Sequence, residues 1–256
     1  MSSNHPTILA IESSCDETAA AVICQGKVVS NIVATQPVHE QYGGVVPELA
    51  SRAHQQSMVP VVHQALQEAY VTPAGLDAVA FTQGPGLLGA LLVGTSFAKA
   101  MAFALDVPLI AVHHMKAHVL AHFLADPSPS FPFLCLTVSG GHTQLVLVKD
   151  YLTMEVLGTT QDDAIGEAFD KIGKRMGFPS PGGPHIDRHA QQGNPHRFQF
   201  PTTTMPQLDF SFSGIKTAFI QLLKKEEIQE HTYLENHRAD ICASIHQANL
   251  QKNGRA

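Results

Sequence analysis

Phe133-Leu134-Cys135-Leu136-Thr137-Val138-Ser139-Gly140-Gly141-His142-Thr143-Gln144-Leu145-Val146-Leu147-Val148 reads as strand, glycine turn, strand. Two apolar runs flank a loop of small residues. Two glycines in such a turn let backbone N–H groups approach an anion closely. Just upstream, a helix is expected over Ala111 to Leu124. His114 and His118 stand four apart on it, so they share one helical face. A pair of metal ligands beside a phosphate-type loop is the first hypothesis.

The chain has 256 residues, enough for one large domain or two lobes. Hydrophobic residues make up 44%, which supports a sizeable core, and charged residues only 15%. The net charge of −6 disfavours solitary nucleic-acid binding, because affinity for phosphate backbones comes largely from Lys and Arg. A partner or a local basic patch would have to supply it. Cys15, Cys24, Cys135 and Cys242 form no CxxC pair and read as small hydrophobes in a reducing compartment. Met1 to Pro6 lacks the basic start of a secretory signal. The apolar stretch Gly86 to Val112 is interrupted by Lys99, Asp106 and Pro108, which favours a buried Ala/Gly-rich helix over a membrane span. A cytoplasmic protein without membrane contact is expected.

In the chain's first part, Thr7 to Ile11, Ala19 to Cys24 and Val28 to Thr35 read as a strand meander. Its first turn, Glu12-Ser13-Ser14-Cys15-Asp16-Glu17-Thr18, carries hydroxyls or carboxylates at six of seven positions. Solvated turn chemistry is the bland account. The functional account is a hairpin facing phosphate or a metal–phosphate group, with Asp16 or Glu17 placed for metal or water. Pro47 to Tyr70 has helical spacing, with a break expected at Pro60. Glu48, Arg52 and His54 near its start read as surface or capping residues. Asp77 to Thr82, the turn Gln83-Gly84-Pro85-Gly86 and the helix Leu87 to Leu105 make a strand–turn–helix unit typical of α/β folds. Ala90, Gly94, Ala98 and Ala102 repeat at four and give that helix a smooth packing face. Val107 to Val112 is a further strand.

Later, Asp162 to Lys171 reads as a helix whose two leading carboxylates suit its N-terminus. Ser180-Pro181-Gly182-Gly183-Pro184 is a rigid turn that opens another helix, and Lys224 to Asp240 reads as a solvated helix pair. The hairpins at 12–18 and 139–143, each between strands, suggest two lobes of similar plan around one cleft: residues 1–110 and 111–256.

Two histidines four apart also occur in metalloproteases, but those need Glu directly after the first His as general base. Here that place is Met115. The pair can hold a metal, yet a carboxylate from elsewhere, a phosphate or water must complete the shell. With the Glu12–Thr18 hairpin, Asp170 and Gly182-Gly183, the glycine loop fits a nucleotide site with one phosphate hairpin per lobe and a backbone patch at a helix start.

Eight stretches occur in one order: Ile11 to Thr18, Tyr42 to Arg52, Gly84 to Leu87, His113 to His118, Val138 to Thr143, Gly166 to Lys171, Pro181 to Pro184 and Phe210 to Gly214. Together they closely resemble the TsaD family, formerly labelled O-sialoglycoprotein endopeptidase, over residues 7–245. The resemblance implies a two-lobed actin/Hsp70/sugar-kinase-like α/β fold. It implies transfer of a threonylcarbamoyl group from threonylcarbamoyl-adenylate to the exocyclic amine of the adenosine beside the anticodon, in tRNA reading codons that begin with A. His114 and His118 match the family's metal ligands, for iron(II) or else zinc. Thr137, Val138, Ser139, Gly140, Gly141, Asp170 and Gly183 match its substrate-contacting positions around an adenylate or ATP-type nucleotide. Asp16 or Glu17 is the candidate to orient a proton acceptor. The shorter paralogue TsaB and the P-loop ATPase TsaE are the implied partners. The family's later Gly-Gly-x-x-x-Asn stretch and its third metal ligand, an Asp, do not occur in this chain, so a C-terminally truncated second lobe is expected. A small-molecule kinase or ATPase of the same fold, and a non-catalytic scaffold paralogue, are the alternative functions.

Overall fold

The computed structural model describes residues 5–42, 44–124, 126–179, 181–201, 205–226, 228 and 230–253. Gly43 and Ser180, both within motifs above, lie outside the described residues, as do the chain's first four and last three. The chain forms two compact units, Met1–Ser128 and Pro129–Ala256. A division at 110/111 was expected. Strand β5 pairs with β4 of the first sheet and carries the histidine helix with it, so both fall within the first unit.

In the first unit, β1 (Ile8–Glu12), β2 (Glu17–Cys24) and β3 (Lys27–Thr35) form an antiparallel meander. Two parallel strands, β4 (Ala78–Gly84) and β5 (Leu109–His113), extend it beyond β1, giving the order β3-β2-β1-β4-β5. Helices α1 (Pro47–Glu68) and α2 (Leu88–Leu105) cover one face. Leu9, Ile11, Val22, Met58, Val62, Val79 and Phe81 share that core. Pro60 does not break α1, which runs through it. Pro60 and Gln56, whose carbonyl loses its helical donor, are both exposed, so water can satisfy that carbonyl. The apolar side of α1 holds both halves to the sheet.

Ala90, Gly94, Ala98 and Ala102 are the buried residues of α2, as their spacing predicted. A Cβ on Gly94 would meet Ser13 Oγ at 2.2 Å, so the helix can approach the hairpin only with glycine there. By length and composition alone α2 could cross a membrane; 22% of that span is buried within the structure. The helix expected over Ala111 to Leu124 is shorter. Ala111 to His113 belong to β5, α3 spans His114–Leu120, and a 3₁₀ turn covers Ala121–Leu124. Ala111 and Val112 also lie in the expected strand Val107 to Val112, and pairing of β5 with β4 decides for that strand.

In the second unit, β6 (Phe133–Val138), β7 (Thr143–Val148) and β8 (Met154–Thr159) form an antiparallel sheet. It is followed by α4 (Ile165–Arg175), α5 (Gly182–Ala190), α6 (Ser213–Glu226) and α7 (Tyr233–Asn253). Leu145, Ile165, Ala168, Phe210 and Phe212 join sheet to helices, and Ile172, Ile186, Phe219, Leu223, Ile241 and Ile245 form the helical core. Strand β6 is the sheet edge, and its Leu134, Leu136 and Val138 are exposed, not buried as the apolar run suggested.

Helix α4 starts three residues later than predicted, and Asp162 and Asp163 do not cap it. Asp162 instead accepts the Phe212 and Ser213 amides at the start of α6 and the hydroxyls of Ser211 and Ser213. Asp163 takes Lys171 and Lys216 at 2.8 and 2.7 Å. The amide of Ile165 donates to Thr143 Oγ1, 22 residues away in sequence, at 3.0 Å.

Candidate functional site

The β1–β2 hairpin does not spread its hydroxyls toward solvent. Ser13, Ser14 and Thr18 are buried. Ser13 Oγ donates to the Ala90 carbonyl at 3.0 Å. The Leu87 amide donates to the Ser14 carbonyl at 2.8 Å. A Cβ on Gly86 would meet that same carbonyl at 2.5 Å, which explains the glycine in the Gly84-Pro85-Gly86 turn. His54 of α1 is fully buried, not a surface or capping residue, and bridges the hairpin: its Nδ1 lies 2.7 Å from Thr18 Oγ1 and its Nε2 lies 3.0 Å from the Cys15 carbonyl. A carbonyl only accepts, so Nε2 carries the proton and Nδ1 accepts from the Thr18 hydroxyl. Most of the hairpin's polar groups therefore fix its shape. Asp16 remains half-buried, and Glu17 exposed at the start of β2.

The histidine pair lies where β5 passes into α3. His114 Nε2 and His118 Nε2 are 3.1 Å apart, with their rings edge to face. Two bonds of about 2.0–2.1 Å from one ion would span that gap, so the pair fits a divalent metal. Loss of hydration and the neighbouring His114 hold the His118 pKa below its ordinary value, against an opposing pull from Glu12. That favours the neutral, ligating imidazole. Among the described residues no third His, Cys, Asp or Glu completes a metal-binding group.

The carboxylate that reaches the pair is Glu12, which the motif reading passed over in favour of Asp16 and Glu17. Glu12 Oε2 lies 3.4 Å from His114 Nδ1. Glu12 also accepts from the Ser14 amide and the Thr82 hydroxyl. Burial would raise its pKa, but hydrogen bonds from His114, Ser14 and Thr82 outweigh that and hold it down at about 2. Its position at the end of β1, one pairing register from β4, is the signal that could have found it; the hairpin's density of polar residues hid it.

In the second unit, the residues expected to touch substrate gather around α4. The Ser139–His142 turn closes through Ser139 N donating to the His142 carbonyl at 2.9 Å and His142 N donating to Ser139 Oγ at 3.0 Å. Neither Gly140 nor Gly141 has a positive φ. Nothing lies within 4 Å of a Cβ built on either, so the loop is open on that side. The first turn of α4 packs directly beneath it: a Cβ on Gly166 would meet the Ser139 carbonyl oxygen at 2.6 Å. Thr137 and Val138, at the end of β6, pair with Gln144 and Thr143. Asp170, one turn of α4 beyond Gly166, accepts the Gly182 amide at 2.7 Å and so fixes the start of α5, where Gly183 lies. Gly173 and Gly182 allow that approach, each facing the other's backbone where a Cβ would clash.

Comparison with known proteins matches residues 27–255 to the family model "TsaD: tRNA N6-adenosine threonylcarbamoyltransferase". The chain is 64% identical over 242 residues to the tRNA N6-adenosine threonylcarbamoyltransferase of Cytophaga hutchinsonii, covering 94% of this chain and 71% of that protein. The chain belongs to the TsaD family. A second member of the family, from Christiangramia forsetii, is 59% identical over 248 residues, covering 96% of this chain and 73% of the relative. Among solved structures, component A of the (R)-2-hydroxyglutaryl-CoA dehydratase of Acidaminococcus fermentans superposes with a TM-score of 0.54 at 11% identity, over 98% of this chain and 77% of that one. At that identity the likeness concerns the fold alone.

Proposed function

We propose that this chain is a tRNA-modifying acyltransferase that places a threonylcarbamoyl group on N6 of adenosine. The observation that carries the reading is the 64% identity to a transferase of that name, over nearly the whole chain. We assign threonylcarbamoyl-adenylate as donor and the adenosine beside the anticodon, in tRNA reading codons that begin with A, as acceptor. The adenosine N6 attacks the carbamoyl carbonyl carbon. The bond from that carbon to the phosphate oxygen breaks, AMP leaves with the electron pair, and N6 loses a proton. Asp16 or Glu17 is the group we assign to orient the acceptor of that proton.

His114 and His118 would hold a divalent metal, iron(II) or zinc, whose chemistry there is to polarise the carbonyl or neutralise the phosphate. The open side of Gly140 and Gly141, with Thr137, Val138 and Ser139, is where we place the adenylate phosphate; backbone N–H groups suit its charge. Asp170 and Gly183 belong to the same binding surface. We take the two units as the lobes of an actin/Hsp70/sugar-kinase-like fold, in a cytoplasmic protein. The partners we assign are TsaB and TsaE. What supports a protein partner is the exposed Leu88, Leu92 and Phe103 on one face of α2. The net charge of −6 supports a partner that contributes to tRNA binding.

The test is mass spectrometry of nucleosides from tRNA incubated with this chain, its partners and the donor, with metal analysis alongside. Threonylcarbamoyladenosine should form, and His118→Ala should lose bound metal and product together. Full metal occupancy in that variant would sink the histidine assignment; unmodified tRNA under all conditions would sink the activity.

A further inference from the structure

We infer that Glu12 is the positioning residue of the histidine pair: it fixes His114 in the Nδ1–H tautomer, so that Nε2 is left bare toward His118. This rests on the reading of that pair as a metal site. Three observations lead to it. Each oxygen of the Glu12 side chain has a fixed partner from the protein, the Ser14 amide on Oε1 and the Thr82 hydroxyl on Oε2. The carboxylate therefore cannot swing away from β1 and β4. Next, His114 Nδ1 lies 3.4 Å from Glu12 Oε2 and equally 3.4 Å from Ser14 Oγ. A carboxylate oxygen can only accept, so Nδ1 must carry the proton to bond Glu12, and the Ser14 hydroxyl can accept from the same N–H. Finally, a neutral imidazole has one N–H. With the proton on Nδ1, Nε2 bears a free lone pair, and it is this atom that sits 3.1 Å from His118 Nε2.

Ligating histidines commonly donate their second N–H to a carboxylate, which orients the ring and makes the ligating nitrogen more basic. Here the carboxylate comes from the end of β1, 102 residues before the histidine it serves. The same hydrogen bonds tie the hairpin to β4, so the ring orientation depends on the sheet and not on the short helix that carries the two histidines.

The experiment has two arms on the full chain. In the first, Zn2+ is the probe, titrated against a competing chelator. Wild type should bind one ion and His118→Ala none. Glu12→Gln, which keeps size and shape, and Glu12→Ala should bind about 10–100-fold more weakly, with unchanged circular dichroism. Glu12→Asp should recover part of the loss. In the second arm, metal-free protein labelled with 15N at histidine is read by long-range 1H–15N correlation at pH 8. Wild type should show the Nδ1–H pattern for His114, assigned by its loss in His114→Ala, and Glu12→Gln should show it diminished in favour of Nε2–H. Equal Zn2+ affinity in wild type and Glu12→Gln would overturn the inference, as would an Nε2–H pattern in wild type. If wild type binds no Zn2+, the metal reading falls, and the second arm still decides what Glu12 does to His114. Should Glu12→Ala fail to fold, Glu12→Gln and Glu12→Asp carry both arms.

Discussion

Replacing His54 by leucine should destabilise the first unit by about 1.5–4.5 kcal/mol. His54 is fully buried, as is Thr18. Leucine fills much of the space of the ring, so the loss is mainly polar. The hydrogen bond at 3.0 Å to the Cys15 carbonyl is lost, but Cys15 is exposed and water can take over; that costs about 0.5–1.5 kcal/mol. The Thr18 hydroxyl loses its partner at 2.7 Å and has no route to water. An unsatisfied buried hydroxyl costs about 1–3 kcal/mol. Together these give the range above, and Thr18→Val in the same chain should return roughly the second part, because removing both partners of a buried bond is far cheaper than removing one. Urea unfolding followed by far-ultraviolet circular dichroism measures each variant. Amide exchange across residues 12–18 should speed up in His54→Leu. A loss below about 0.5 kcal/mol, or a double variant no more stable than His54→Leu, would refute the account of His54 as the clamp on the hairpin.

Other outcomes follow from the second unit. Gly166→Ala puts a methyl group 2.6 Å from the Ser139 carbonyl oxygen and 2.9 Å from Gly140 Cα, all backbone, and should cost about 1–3 kcal/mol in melting experiments. Gly140→Ala meets nothing within 4 Å and should leave stability within about 0.5 kcal/mol, while weakening binding of adenylate if that ligand approaches the open side. Burial raises the pKa of Asp162, but donors from Ser211, Phe212 and Ser213 outweigh it and hold it below the ordinary value. Its contribution is thus present above the usual carboxylate range and lost as pH falls through the lowered pKa. Acid unfolding of Asp162→Asn should lack that part of the slope, and equal slopes in the two proteins would contradict the role of Asp162 in anchoring α6.

Much of the fold was legible because periodicity and turn chemistry are local. The meander, the strand–turn–helix unit of β4 and α2, and the stripe Ala90, Gly94, Ala98, Ala102 all emerged with the faces and order that were read. Errors fell where a partner distant in sequence overrode a local preference. Ala111 and Val112 suit either the strand or the helix that meet there, and pairing with β4 decides for the strand. Asp162 and Asp163 look like caps for the helix that follows them, yet they bind groups some fifty residues later. Pro60 sits on an exposed face, where water can satisfy the carbonyl that loses its helical donor.

The candidate site divides in the same way. Residue types at fixed spacing were enough to identify the histidine pair, the Ser139-Gly140-Gly141 loop and the family, because collinear motifs record chemistry in one dimension. The class of reaction to expect came from the resemblance that those motifs carry. Which carboxylate attends the histidines was decided only in three dimensions. Glu12, Asp16 and Glu17 look equivalent in a polar turn, but the parallel pairing of β1 with β4 and of β4 with β5 brings Glu12 alone to His114. Hydrogen bonding depends on a few ångströms and on direction, and neither is contained in the spacing of residues along the chain.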